Sequence, residues 1–230
     1  MQDWWPQRRF VRQPIALPLL HRPKDATLAR AEAGWTCDLS AAGACIEVAE
    51  RFAPQLSLCM RLQTDRGPIE GVARVIWAAD PPRKEGGICH GVAFTHLIPE
   101  QLQVLRELLL SLKPWWPAGG RLPINLPVTC RPQRPPRIPL RGQTGNLSRK
   151  GILLHLPSEL SPLTGLEIAL RRSSESLVLM GLVVWVEKRE RRRPGGLIAH
   201  GLRFPSLDWN TSLTLARFLA ELEVNPHRAP

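Results

Sequence analysis

Two stretches of the chain, WWPQRRFVRQPIALPLL (residues 4–20) and WWPAGGRLPINLPVTC (residues 115–130), are variants of a single segment. The same relation joins DLSAAGACIEV (residues 38–48) to NLSRKGILLHL (residues 146–156), and the offset stays close to about 110 residues. A similar offset over separate blocks indicates an internal duplication rather than chance similarity. We therefore expect two copies of one folding unit.

A third pair of blocks extends the duplication toward the end of each copy. ARVIWAADPPRKEGGICHGVAF (residues 73–94) matches LVVWVEKRERRRPGGLIAHGLRF (residues 182–204). A chain of 230 residues is long enough for two domains, since domains commonly have roughly 100–150 residues. The predicted domains are residues 1–113 and residues 114–230.

Each copy contains short apolar runs with the alternation of β-strands. In the first copy these runs include ACIEV, LSLCMRLQ, VARVIWAA and GICHGVAF, which are bounded by Gly, Pro and Asp. No helical pattern lies between them, so they indicate an antiparallel sheet that closes into a barrel. The predicted fold class is mainly β.

A single helix is predicted at the end of each copy. In the first copy Pro99 suits the opening turn of a helix, and leucines recur at intervals of three and four residues: Leu102, Leu105, Leu108, Leu109 and Leu112. In the second copy the predicted N-cap is Asp208 or Asn210. The apolar stripe that follows comprises Leu213, Leu215, Phe218, Leu219 and Leu222. We expect both apolar faces to pack against their barrels.

The composition is typical of a globular protein, with 43% hydrophobic and 22% charged residues. The five cysteines form no C-x-x-C pair and have no histidine partners at metal-ligand spacing, so neither a disulfide framework nor a metal site is expected. The sequence has no run of about 18 apolar residues, and its amino terminus lacks the apolar core of a signal peptide. These features predict a cytoplasmic protein without a transmembrane segment.

Positive charge is concentrated in the second copy. The formal net charge of the chain is +11, yet residues 1–113 include 14 Lys and Arg against 12 Asp and Glu, whereas residues 114–230 include 17 against 8. A basic surface attracts anions. Nucleotides, nucleic acid and acidic protein surfaces are therefore the partner classes to consider.

Two short motifs in the first copy have chemistry that suits a guanine nucleotide. The first predicted strand is preceded by Arg8, Arg9 and Arg12, and the turn DLSAAG supplies Asp38, Ser40 and Gly43. On extended backbone the aspartate and the serine project from one face, while the glycine permits a tight turn or a close backbone approach. An arginine fork binds phosphate oxygens or the O6 and N7 acceptors of guanine. A carboxylate accepts hydrogen bonds from the guanine N1–H and N2–H donors.

At these residues the chain resembles the PilZ family. Arg8-x-x-x-Arg12 is similar to the RxxxR motif of that family, and the sequence from Asp38 to Gly43 is similar to its (D/N)xSxxG motif. The strand that contains Trp77, the GVAF strand and the closing helix also look like PilZ domains, so the resemblance extends along most of both copies. It implies two tandem six-stranded antiparallel β-barrels, each closed by a C-terminal α-helix, and a receptor for cyclic di-GMP.

The resemblance also implies a role for each motif residue. The arginine arm would wrap over cyclic di-GMP, hold its phosphates and stack on its guanines. The Asp-x-Ser strand would hydrogen-bond a guanine, and the glycine would leave room for it. The implied ligand contacts are Arg8, Arg9, Arg12, Asp38, Ser40 and Gly43, with Trp77 as a second-tier contact because its counterpart Trp185 argues equally for a role in the core.

The second copy departs from the family pattern. Residues 146–151 satisfy (D/N)xSxxG, but alignment of the copies places Arg121 opposite Arg12 and Pro117 opposite Arg8. Loss of one charge-assisted contact is expected to cost about 1.5–3 kcal/mol of binding free energy. A weaker second site would consist of Arg121, Asn146, Ser148 and Gly151.

Two histidines recur at one repeat position, His90 in HGVAF and His200 in HGLRF. Neither histidine has a carboxylate motif or a cysteine motif nearby in the sequence. We interpret both as structural residues of the core rather than as bases or metal ligands.

Together these observations predict a non-enzymatic receptor that binds cyclic di-GMP through the first copy and relays the signal by rearrangement of the two domains. An enzymatic function is disfavoured, because the sequence shows no paired carboxylates, triad, phosphate loop or metal set. No cofactor is expected. An acidic protein partner suits the basic second copy. Two alternatives stay open: a nucleotide-regulated DNA-binding transcription regulator, and an interaction module for a motor, secretion or polysaccharide-synthesis machine. The sequence leaves the downstream process and the oligomeric state open.

Overall fold

The computed structural model describes residues 10–26, 28, 30–80, 86–112, 120–172, 175–188, 190 and 196–222, apart from the side chain of residue 175. These residues form fourteen strands and two helices. Apart from the turn at residues 63–67, the elements divide into two compact units, one in each half of the chain. The predicted boundary at residue 113 falls at the edge of undescribed residues and stays a prediction.

The first unit is a closed barrel. Its elements are β1 (Gln13–Pro14), β2 (Pro18–Pro23), β3 (Glu32–Ser40), β4 (Gly43–Val48), β5 (Ser57–Thr64), β6 (Gly67–Ala79), β7 (Ile88–His96) and α1 (Pro99–Ser111). The strand order is β1-β3-β2-β5-β6-β7-β4, and pairing of β3 with β4 closes six antiparallel strands into a barrel. The short β1 pairs with β3 as an additional strand that the sequence patterns did not predict.

The second unit repeats this arrangement. It consists of β8 (Leu122–Pro123), β9 (Pro127–Pro132), β10 (Leu140–Ser148), β11 (Gly151–Leu156), β12 (Gly165–Arg172), β13 (Glu175–Val186), β14 (Ile198–Arg203) and α2 (Trp209–Ala220). Pairing of β10 with β11 closes the barrel, and β8 pairs with β10 as β1 pairs with β3. The prediction of two six-stranded antiparallel barrels, each with one helix, is confirmed.

The core of the first barrel follows from the alternation of its strands. In β4 and β5 nearly every second side chain is buried, including Ile46, Val48, Leu58 and Leu62. Such alternation directs one face of each strand into the barrel. The face of α1 packs on this core as predicted, with Leu105 and Leu108 buried and with Leu102, Leu109 and Leu112 partly buried against it.

The N-cap of the second helix is one of the two predicted residues. Asp208 is the N-cap, and its Oδ1 accepts a hydrogen bond from the Thr211 backbone N–H at 2.9 Å. Leu215, Phe218 and Leu219 form the buried face of this helix.

No helix in the described part of the chain is long and apolar enough to span a bilayer.

The two recurrent histidines are structural, as predicted. His90 is buried, its Nε2 accepts from the Phe52 backbone N–H at 2.9 Å, and its Nδ1 lies 3.2 Å from the Ile88 carbonyl oxygen. His200 repeats the pattern with Leu160 N–H at 3.1 Å. A ring that accepts at Nε2 carries its proton on Nδ1, and both nitrogens are therefore engaged within the chain.

Candidate functional site

The position of Arg12 is determined by the additional strand β1. Gln13 pairs with Leu39 and Pro14 pairs with Asp38, so the residue just before β1 lies beside the end of β3. The resemblance to PilZ motifs predicted that Arg12 and Asp38 belong to one site, and strand register brings them together.

A threonine of β3 fixes the segment that follows β1 to the barrel. The buried Thr36 hydroxyl donates to the Ile15 carbonyl oxygen at 2.5 Å and accepts from the Leu17 backbone N–H at 2.8 Å. In the second barrel Thr144 makes the same two bonds, to Ile124 and Leu126, each at 2.9 Å. Sequence analysis missed this residue, although its recurrence at one repeat position was a usable signal.

Arg12 and Asp38 form an ion pair. The Arg12 Nη1 atom lies 3.1 Å from Asp38 Oδ1 and 3.4 Å from Oδ2, and each side chain is 28% exposed. The same Oδ1 also accepts the Cys45 backbone N–H at 3.0 Å. The carboxylate is thus held by one side chain and one strand amide. Arg8 and Arg9 lie outside the described residues.

The turn between β3 and β4 is built by the serine and the glycine of the motif. The Ser40 hydroxyl donates to the Gly43 carbonyl oxygen at 3.0 Å, and the serine is buried. A Cβ atom on Gly43 would lie 2.1 Å from the Val92 carbonyl oxygen. Gly43 is therefore required by the close approach of β4 to β7, independently of any ligand.

Four of the predicted site residues line one surface cavity of about 190 Å³. Its lining consists of Arg12, Ser40, Ala42, Gly43, Ile76, Trp77, Gly91, Val92 and Ala93. Asp38 borders this lining through its ion pair with Arg12. The residues contributed by β7 were missed by sequence reasoning because they carry no polar side chain.

Trp77 lies directly against a glycine of the neighbouring strand. A Cβ atom on Gly91 would be 2.1 Å from the indole Nε1 atom, so only glycine permits this position of the ring. The register of β6 shifts between Val75 and Trp77, and the tryptophan is 40% exposed. The ring therefore contacts the strand and also lines the cavity.

A scan against protein-family models matches the PilZ domain over residues 6–111 and again over residues 119–221. The chain belongs to the PilZ family. Both halves of the duplication are thus PilZ domains, and the resemblance inferred from the two motifs is confirmed.

Solved structures similar to this chain include proteins of three bacteria. The PilZ domain with c-di-GMP of YcgR from Escherichia coli is 14% identical and covers 46% of this chain and 91% of its own, with a TM-score of 0.39. MrkH of K. pneumonia is 13% identical over 90% of this chain and 85% of its own, with a TM-score of 0.37. PlzA of Borreliella burgdorferi in complex with c-di-GMP is 13% identical over 88% of both chains, with a TM-score of 0.34. No match was found among curated protein sequences.

The second PilZ domain repeats the backbone of the site without its charge pair. Register of β8 with β10 pairs Pro123 with Asn146, and this makes Arg121 the equivalent of Arg12. Arg121 is exposed, and the uncharged Asn146 offers it no ion-pair partner. The turn is the same as in the first domain: the Ser148 hydroxyl donates to the Gly151 carbonyl oxygen at 3.2 Å.

The first PilZ domain also brings three cysteines together. The Sγ atoms of Cys37, Cys45 and Cys89 lie within 4.8 Å of one another. A hydrogen bond from Cys37 lowers the pKa of Cys45, whereas burial raises the pKa of Cys89. Sequence spacing gave no indication of this group, because strand pairing and not chain proximity assembles it.

Proposed function

We propose that this protein is a receptor for cyclic di-GMP and that its first PilZ domain binds the dinucleotide. The observation that carries the proposal is the cavity in which Arg12, Ser40, Gly43 and Trp77 meet, with Asp38 joined to it. Its volume is about 190 Å³. Pockets that enclose a whole drug-sized ligand are larger, at about 300–1,000 Å³. The cavity suits one guanine, and the phosphates would lie outside it under the arginine arm.

The ion pair can exchange for ligand contacts at low cost. Arg12 and Asp38 are both partly exposed, and pairs of this kind contribute only about 0.2–1 kcal/mol. A charge-assisted hydrogen bond to a ligand contributes about 1.5–3 kcal/mol. On binding, Asp38 accepts from the Watson–Crick edge of the guanine, while Arg12, Arg8 and Arg9 turn toward its Hoogsteen edge and the phosphates.

The remaining contacts are less polar. The Trp77 indole stacks against the base from the wall formed with Gly91. Ser40 already donates its hydroxyl proton to Gly43, so it presents acceptor lone pairs to the ligand. These groups bind and position a ligand, and the proposed function is that of a receptor rather than an enzyme.

The signal leaves through the second domain. Ligand engages the arm that precedes β1, and we expect the two domains to rearrange in response. The second half has most of the positive charge, and this supports an acidic protein partner. The same charge supports DNA as the second candidate. Only a DNA-binding protein is expected to show a DNA affinity that falls steeply with salt concentration and that changes when the dinucleotide is added.

The test is calorimetric titration of the full chain with cyclic di-GMP. Arg12→Ala is expected to lower the affinity about ten- to hundredfold, since it removes a charge-assisted contact. Arg121→Ala, at the equivalent position of the second domain, is the matched control and is expected to bind like the wild type. Undiminished binding by Arg12→Ala would overturn the proposed site, and the stoichiometry shows whether the second domain binds as well.

A further inference from the structure

The three cysteines of the first PilZ domain have the spacing of a metal site. Their Sγ atoms lie within 4.8 Å of one another, on three neighbouring strands. Thiolates that share one metal ion at about 2.3 Å are separated by roughly 4 Å. Each sulfur therefore needs to move by less than about 1 Å, a distance that side-chain rotation provides.

A bulge in β3 produces this arrangement. The register passes from Thr36 paired with Ile46 to Asp38 paired with Cys45, and Cys37 is the extra residue between them. Bulges re-aim a side chain out of the regular ladder and are frequent beside functional sites. Cys89 enters the group from β7. Cys37 is the most exposed of the three cysteines and Cys45 the most buried, so an ion would reach the group from the side of Cys37.

The second domain shows that the barrel does not require these thiols. Its β10 has the same bulge, between Thr144 and Asn146. By strand register the three equivalent positions are occupied by Gly145, Leu153 and Ala199. A barrel of the same strand order thus closes with no sulfur at any of them. The cysteines are a property of the first domain rather than of the fold.

We propose that Cys37, Cys45 and Cys89 bind a soft metal ion through three thiolates and that Cu(I) fits the site best. Structural zinc sites are nearly always four-coordinate, whereas this group, within the described residues, offers three sulfur donors and no histidine. Thiolates are soft ligands that favour Cu(I), and Cu(I) accepts three-coordinate geometry. Each thiol gives its proton to solvent as the metal binds.

The experiment is an anaerobic competition for Cu(I) between the reduced full-length chain and the chromophoric chelator bicinchoninate. The wild type is expected to withdraw one Cu(I) per chain from the chelator. Cys37→Ser and Cys45→Ser each remove one donor sulfur. Loss of even an outer-shell partner typically lowers metal affinity by about 10–100-fold, so both variants are expected to bind Cu(I) at least about tenfold more weakly. Cys59→Ser, a half-buried cysteine outside the group, is the matched control and is expected to bind like the wild type.

Two results would overturn the proposal. One is a wild-type chain that withdraws no more Cu(I) than Cys37→Ser does, and the other is an equal loss of binding in Cys59→Ser. X-ray absorption of the loaded chain adds a check that does not depend on variants, with three sulfur neighbours expected around copper and fewer than three contradicting the site. Thermal unfolding of each variant separates loss of a ligand from loss of the fold.

Discussion

The guanidinium of Arg12 lies 3.1 Å from the carboxylate of Asp38, and this ion pair joins the arm before β1 to the end of β3. It places a cation and an anion at the rim of one cavity before any ligand is present. Because both side chains are 28% exposed, the ion pair does more to position the two side chains than to stabilise the fold.

Asp38→Asn separates these two contributions. The amide oxygen still accepts the Cys45 N–H, but the charge opposite Arg12 is lost. We expect the free energy of unfolding to fall by less than about 1 kcal/mol and the affinity for cyclic di-GMP to fall about tenfold or more. Urea unfolding and calorimetry measure the two effects, with Asn146→Ala as the control. A variant that binds like the wild type would show that the carboxylate makes no ligand contact.

Trp77→Ala and Trp185→Ala form a second matched pair. Each ring lies against a glycine of the next strand, Gly91 or Gly201, so we expect both variants to lose comparable stability. Only Trp77→Ala is expected to lose affinity for cyclic di-GMP, by about 1–3 kcal/mol for a stacked base. Titration of both variants distinguishes the roles. Equal affinities would assign Trp77 to the barrel alone.

Gly43→Ala tests the contact between β4 and β7. The new Cβ atom would meet the Val92 carbonyl oxygen at 2.1 Å, and backbone cannot yield as a flexible side chain does. We expect a loss of about 1–3 kcal/mol in the stability of the first domain, the usual cost of overpacking. Gly151→Ala faces Leu202 in the same way at 2.2 Å and should destabilise the second domain. Unchanged unfolding of Gly43→Ala would contradict the observed strand separation.

Thr36→Val removes two hydrogen bonds that fix the segment after β1. The amide of Leu17 loses its acceptor and the carbonyl of Ile15 loses its donor, at an expected cost of about 1–3 kcal/mol. Because Arg12 lies just before this segment, affinity for cyclic di-GMP should fall as well. Thr144→Val should lower stability similarly without changing the affinity. Should both variants bind equally well, the threonine would have no positioning role.

We expect the buried His90 to make the first domain sensitive to acid. Burial lowers its pKa from 6.5, and its Nε2 already accepts the Phe52 N–H. Below about pH 6.5 the unfolded chain binds a proton that the folded chain resists, so stability is present above this pH and is lost as the pH falls toward the folded pKa. His90→Gln should flatten the pH dependence of urea unfolding, whereas His96→Gln, an exposed histidine of the same strand, should not. An equal slope in both variants would assign the dependence to other groups.

Features that depend on chain order were predictable from sequence. The duplication and the β-rich barrels follow from spacing and alternation, and the N-cap of the second helix was narrowed to Asp208 or Asn210. The resemblance to PilZ motifs predicted that Arg12 and Asp38 share one site. These patterns act over a few residues or recur at a constant offset. Periodicity and resemblance together were therefore sufficient.

Features that depend on strand register were not predictable. The contact of Trp77 with Gly91 and the group of three cysteines arise where the register of β6 or β3 shifts by one residue. A shift of this kind changes which side chains meet across strands and leaves almost no trace in hydrophobic alternation. The small residues that line the cavity on β7 likewise have no chemical signature in the sequence.

The bond from the Cys45 amide to Asp38 has a thermodynamic consequence. Cys45 contributes its backbone to the carboxylate that faces Arg12 and its sulfur to the cysteine group. Any event that displaces Cys45 also changes the energy of Asp38, and linkage makes such a coupling reciprocal: whatever factor an ion imposes on nucleotide affinity, the nucleotide imposes on ion affinity. Two chemically unrelated inputs would then converge on a single strand.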